Sequence, residues 1–145
     1  GLRFQSAGAG LSRVAKTALV AEEPDSYTRL NVCVGGLRQR ETQEFVNCAR
    51  CWKCVQTMLA LESLQKLDNY AEVFDLAYYR SHRRRLLQRL AEGAELNEIG
   101  RDSIRLARSR GLELPGPRLR RERVIRNGKN RLRGAWAALT EPIWK

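Results

Sequence analysis

Apolar residues recur at helical spacing in four stretches of this chain and thin out in a fifth. Leu11, Val14, Ala15, Ala18 and Leu19 share one face of a short helix over 11–21, which follows the flexible Ala7-Gly8-Ala9-Gly10. Ser12 is placed to cap that helix, and Pro24-Asp25-Ser26 to end it. The run 30–34 reads as a short strand, and 35–47, polar and glycine-containing, as a loop. From Cys51 onward Val55, Met58, Leu59, Leu61, Leu64 and Leu67 predict the clearest helix of the chain, with no Gly or Pro for sixteen residues. A loop within 70–79 leads into another helix from about Asp75, striped by Leu86, Leu87 and Leu90 and closed by Gly93. Leu96, Ile99, Ser103, Leu106 and Ala107 form a last amphipathic period that stops at Gly111. Beyond the hard break at Pro115-Gly116-Pro117, an Arg-rich stretch predicts two helical pieces split at Asn127-Gly128. The pattern is that of a mainly α fold, a small helical domain with a short strand or loop element ahead of its central helix.

Charge divides the chain in two. Residues 1–72 carry nine basic and eight acidic side chains, whereas residues 73–145 carry eighteen and eight, so nearly all of the net +11 lies in the second part. The organisation expected is a near-neutral region over 1–72 and a basic helical region over 73–145. At 145 residues with 43% hydrophobic content, the chain is long enough for one core and too short for a large multidomain enzyme. The basic excess allows a polyanionic partner, nucleic acid or an acidic protein surface, with Arg83, Arg84, Arg85, Arg118, Arg120, Arg121 and Arg123 as the candidate contacts. Aromatic residues are sparse beside them, Tyr78 and Tyr79 being nearest, so such binding would show little sequence preference. Arg outnumbers Lys 22 to 5, a bias that a GC-rich genome also produces. No run of about 18 apolar residues spans a membrane, and 1–19 lacks a signal-peptide pattern, so a cytoplasmic protein is expected. The start at Gly-Leu-Arg-Phe, without Met, suggests a piece of something longer.

Four cysteines carry the most specific chemistry. Cys33, Cys48, Cys51 and Cys54 follow the pattern C-x14-C-x2-C-x2-C. A C-x2-C pair brings two sulfurs to face one point, Cys54 follows one helical turn later, and Cys33 closes the cage from across the loop. Structural zinc is the leading reading, stabilising a region with little core of its own. Two disulfides, an iron–sulfur cluster and a redox-active dithiol are the alternatives. Arg50 and Lys53, interleaved with the thiolates, would offset the negative charge of a tetrathiolate site. Since zinc would use all four sulfurs, no position is left for an activated water, and the centre would be structural rather than catalytic. His82, the only histidine, stands in Ser-His-Arg-Arg-Arg with no acid placed beside it, and no paired carboxylates are evident. Nothing marks the chain alone as an enzyme.

The segment Asn47-Cys-Ala-Arg-Cys-Trp-Lys-Cys-Val-Gln-Thr-Met-Leu-Ala-Leu-Glu-Ser-Leu64 resembles the signature "NCGRCEKCLRTMLALEALG" of PP-loop proteins, adenine-nucleotide alpha-hydrolase-like proteins related to 7-cyano-7-deazaguanine synthase. Upstream, Leu11-Ser-Arg-Val-Ala-Lys-Thr17 is similar to that family's "sR-x2-KT" element, so the resemblance covers about residues 10–70. It implies a parent α/β protein that binds ATP through an SGGxDS loop and adenylates a carboxylate, with this chain as its zinc-binding C-terminal part. By the same resemblance Cys33, Cys48, Cys51 and Cys54 are the metal ligands, and Lys16 and Thr17 lie near the nucleotide or substrate. No SGGxDS loop occurs in this chain. ATP would therefore be bound only with a PP-loop domain present in cis or in trans.

Overall fold

The computed structural model describes residues 8–34, 44–96 and 100–116. Four α-helices account for most of them: α1 (Arg13–Ala21), α2 (Trp52–Ser63), α3 (Leu76–Leu96) and α4 (Arg101–Ser109). Short 3-10 turns, Pro24–Ser26 and Leu67–Tyr70, follow α1 and α2. The mainly α fold read from the pattern is the fold found.

Each helix begins where local chemistry supplies a start. Ser12 caps α1, its hydroxyl accepting the backbone N–H of Ala15 at 3.1 Å. Asp75 does the same for α3, accepting from the N–H of Tyr78 at 2.8 Å. Gly100 precedes α4 with φ +91, and a Cβ there would lie 2.8 Å from Leu90 Cδ1, so both backbone and packing require glycine.

Helix α2 is the centre of the fold. Cys54 through Leu61 and Ser63 are all buried, so the helix is covered on every side, and it packs on α1, α3 and α4 alike. Met58, Leu59 and Leu61 meet Tyr70, Val73, Phe74, Tyr79, Leu86, Leu87, Leu90 and Ile104 in one continuous core. That core draws on both sides of residue 72. Each large side chain so buried contributes roughly 1.5–3 kcal/mol, which is why α2 needs no side-chain cap to form.

Three expectations are corrected. Residues 30–34 form no strand; among the described residues the single ladder contact is an isolated parallel bridge between Asn47 and Phe74. The N–H groups a strand would offer a neighbour are bonded to a side chain instead, as set out below. Helix α3 continues through Gly93 to Leu96, because a helical glycine costs only about 1 kcal/mol and the buried Leu90, Ala91 and Ala94 around it outweigh that. Leu96 therefore belongs to α3, and the last helix begins at Arg101. The two helical pieces read in the Arg-rich stretch lie outside the described residues. No helix among those described is long and apolar enough to cross a membrane.

Tyr79 ties α3 to α2. Its fully buried hydroxyl donates to Glu62 Oε2 at 2.9 Å, and Glu62 Oε1 accepts from Arg83 Nε at 2.8 Å. Burial, reinforced by the neighbouring Glu62 carboxylate, pushes the phenol pKa well above its ordinary 10.0. A group whose pKa is raised on folding contributes stability that is complete below its unfolded pKa and is lost above it. Tyr79 should thus remove about 1.4 kcal/mol of stability per pH unit above pH ~10. Urea midpoints of the wild type and Tyr79→Phe, compared from pH 8 to 11, check this: the wild-type advantage should shrink only above pH ~10.

Candidate metal centre

The turn before α2 assembles three of the four cysteines. Cys51 is the N-cap of α2 and Cys54 sits in its first turn, so both sulfurs lie at the positive end of the helix dipole. Between Cys48 and Cys51 the backbone passes through a left-handed residue, Ala49 (φ 51). This turns the N–H groups of Arg50 and Cys51 onto Cys48 Sγ, at 3.5 and 3.3 Å. Cys33 arrives from the 30–34 segment.

The four sulfurs converge. Cys51 Sγ lies 3.4 Å from Cys54 Sγ, Cys48 Sγ lies 3.9 Å from it, and all four fall within 4.8 Å of one another. No two of them are bonded to one another. Thiolates about 2.3 Å from a single tetrahedral ion are separated by about 3.8 Å, so the cluster matches that arrangement without rebuilding the backbone. The cysteines can hold a metal ion. Burial raises the Cys54 thiol pKa, and the adjacent Cys51, Cys48 and Cys33 raise it further. At Cys48 burial also raises it, opposed by the two N–H groups on its sulfur. Bare thiolates are thus costly here, and a cation among them removes that cost.

Asn47, which the sequence reading passed over, holds the arrangement together. Its side chain is 1% exposed and makes four hydrogen bonds. Oδ1 accepts from the N–H groups of Val32 (2.9 Å) and Cys33 (3.1 Å), while Nδ2 donates to the carbonyls of Leu30 (2.7 Å) and Val73 (3.1 Å). One amide therefore substitutes for the missing strand partner and joins the Cys33 segment to the turn carrying Cys48. Only its place directly before Cys48 could have signalled this.

The other predicted residues are distributed differently. Lys16 and Thr17 line a hollow of about 220 Å³ together with Arg13, Val20, Leu30, Val32 and Thr57, although the Thr17 hydroxyl itself donates to the Arg13 carbonyl at 3.0 Å. Arg83 is engaged internally with Glu62 and with the Glu113 carbonyl (3.2 Å), whereas Arg84 and Arg85 are exposed. Arg118, Arg120, Arg121 and Arg123 lie outside the described residues. Arg50 rests 4.4 Å from the Tyr78 ring centroid, and Tyr78 in turn stacks on His82 at 4.1 Å. His82 Nδ1 meets the Tyr78 carbonyl at 3.0 Å and Ser81 Oγ at 2.9 Å, and among the described residues no carboxylate pairs with it.

Comparison with known proteins returns no match to any family model, any curated protein or any solved structure.

Proposed function

We propose that Cys33, Cys48, Cys51 and Cys54 hold one Zn2+ as a structural centre. In this reading the chain is the zinc-stapled C-terminal region of a PP-loop ATP-dependent synthase-like protein, with no catalysis of its own. The observation that carries the zinc assignment is the convergence of four free sulfurs within 4.8 Å. The cysteines of an iron–sulfur cluster are divided among two or four irons, so some of their sulfurs stand further apart than four ligands of one ion. Four sulfur ligands suit zinc and leave no open coordination position. The PP-loop placement rests on the sequence resemblance over about residues 10–70 alone. An ATP-binding domain, in cis or in trans, would supply the adenylating chemistry.

Metal analysis of the purified chain tests the first part: one zinc per chain without visible absorption is expected, and iron with sulfide, or four titratable thiols without metal, refutes it. The second part predicts ATP–pyrophosphate exchange only when the chain accompanies a domain bearing an SGGxDS loop. Exchange at full rate by that domain alone would remove it.

A further inference from the structure

Some of the described cations are paired with carboxylates and others are not. Lys66, Arg80, Arg83 and Arg105 are paired with Glu22, Asp68, Glu62 and Asp102. Of those with no carboxylate within ion-pair distance among the described residues, Arg13, Arg50, Lys53 and Arg89 share a ring contact or a hollow with one aromatic side chain, and Lys16 lies in a hollow beside Arg13. That side chain is Trp52, which is 42% exposed at the start of α2. Arg13 and Lys53 lie 5.8 and 5.5 Å from its ring centroid. Unpaired positive charge around an exposed indole is unfavourable to the protein alone, because the cations repel one another and the ring stays in water.

Hollows open near this platform. One, about 290 Å³, is lined by Trp52 with Arg50, Arg89, Val55, Leu86, Leu90 and Gly93. Gly93 contributes by having no side chain: a Cβ there would meet nothing within 4 Å. The other is the 220 Å³ hollow that holds Arg13 and Lys16. Its wall includes Thr57, 2% exposed, whose hydroxyl has no partner among the described residues. The hydroxyls of Thr17 and Ser63, by contrast, bond to carbonyls one turn back in their own helices. A buried hydroxyl without such a partner, in a hollow lined by Arg13 and Lys16 and by no acid among the described residues, is suited to meeting a polar ligand atom. Arg13 links the hollows, since it lines one and lies over the indole that lines the other.

We propose that this strip, Arg13 and Lys16, then Trp52 and Lys53, then Arg50 and Arg89, binds single-stranded nucleic acid. The strand's phosphates meet the cations and a base packs against Trp52. A single strand offers what the strip lacks, a negative charge and a planar apolar group at every unit. An acidic peptide supplies the charge without the regular planar groups. A duplex keeps its bases stacked inside, out of reach of hollows this small. The site is distinct from the Arg83–85 and Arg118–123 runs, and it goes beyond the zinc staple and any synthase parent.

The test uses the full chain loaded with one equivalent of zinc and fluorescein-labelled dT15 and rU15, with anisotropy followed from 50 to 200 mM salt. Trp52→Ala should weaken binding about 5- to 150-fold, the cost of losing one stacked base, and Trp52→Phe should restore most of it. Arg50→Gln with Arg89→Gln should reduce the slope of log K against log salt by about 1.4, two phosphate contacts on a single strand. Arg84→Gln with Arg85→Gln removes the same charge from another part of the surface and should change the slope less. Zinc content and circular dichroism establish that each variant is folded. Absence of binding overturns the proposal. So does a loss under twofold for Trp52→Ala with equal slopes for both arginine pairs, which would place binding in net charge alone. Equal competition by poly-glutamate overturns it in favour of an acidic protein partner.

Discussion

Removing the zinc proposed at the four cysteines with a strong chelator at pH 7 is expected to lower the thermal midpoint of this protein by about 15 °C. A ligand bound only by the folded state stabilises it by about 4 kcal/mol at a free concentration 1,000 times its dissociation constant, and each kcal/mol is worth about 3–5 °C in a chain of this size. The loss should be local before it is global. Helices α2, α3 and α4 share an apolar core to which Met58, Phe74, Leu87 and Ile104 contribute. The Cys33 segment reaches that core only through Cys33 and the half-buried Leu30 and Val32, and is otherwise held by Asn47. Amide exchange after chelation should therefore accelerate first across 30–34 and 44–51, while α2 and α3 retain their helical signal. Zinc readdition should reverse the change. A chelated protein with an unchanged midpoint and unchanged exchange at 30–34 would show that the sulfurs do not staple the fold.

Asn47→Ala should be strongly destabilising for a single substitution outside the cysteines. It leaves the N–H groups of Val32 and Cys33 and the carbonyl of Leu30 without their partner. A stranded buried polar group costs about 1–3 kcal/mol, and since Leu30 and Val32 are half-buried and regain water in part, a total of about 3 kcal/mol is expected. Loss of the Cys33 anchor should also weaken metal binding about 10- to 100-fold, as removal of groups supporting metal ligands generally does. Asn47→Asp should be at least as harmful. It keeps the acceptor but places a carboxylate against the Leu30 and Val73 carbonyls and close to four thiolates. Urea denaturation and chelator competition measure the two effects. A cost below about 0.5 kcal/mol with unchanged affinity would mean that water replaces the amide without loss.

Several features were legible because they are local. Ser12 caps α1 by reaching three residues ahead, and the C-x2-C-x2-C spacing places three sulfurs within two turns of backbone. The central helix was legible too, since an unbroken apolar period without Gly or Pro has few other conformations available. The misreadings share one cause. Gly93 was taken for a terminus, and 30–34 for a strand, because such signals are weak preferences of about 1 kcal/mol that packing or one well-placed side chain outweighs.

By itself the sequence determined the helical class, the start of the central helix and the set of four thiols able to share one ion. Each follows from periodicity or short spacing, which survive in any compact arrangement of the chain. Only the tertiary structure decided which cations are neutralised. Arg83, in the most conspicuous basic run, is held by Glu62 from another helix, whereas Arg13, Arg50 and Arg89, scattered over more than seventy residues, come together around Trp52. It also decided what Asn47 does, because a side chain that bonds 15 residues upstream and 26 downstream has no local signature. Charge pairing and polar satisfaction depend on distances in space, and those are set by how α2 buries its whole circumference against its neighbours.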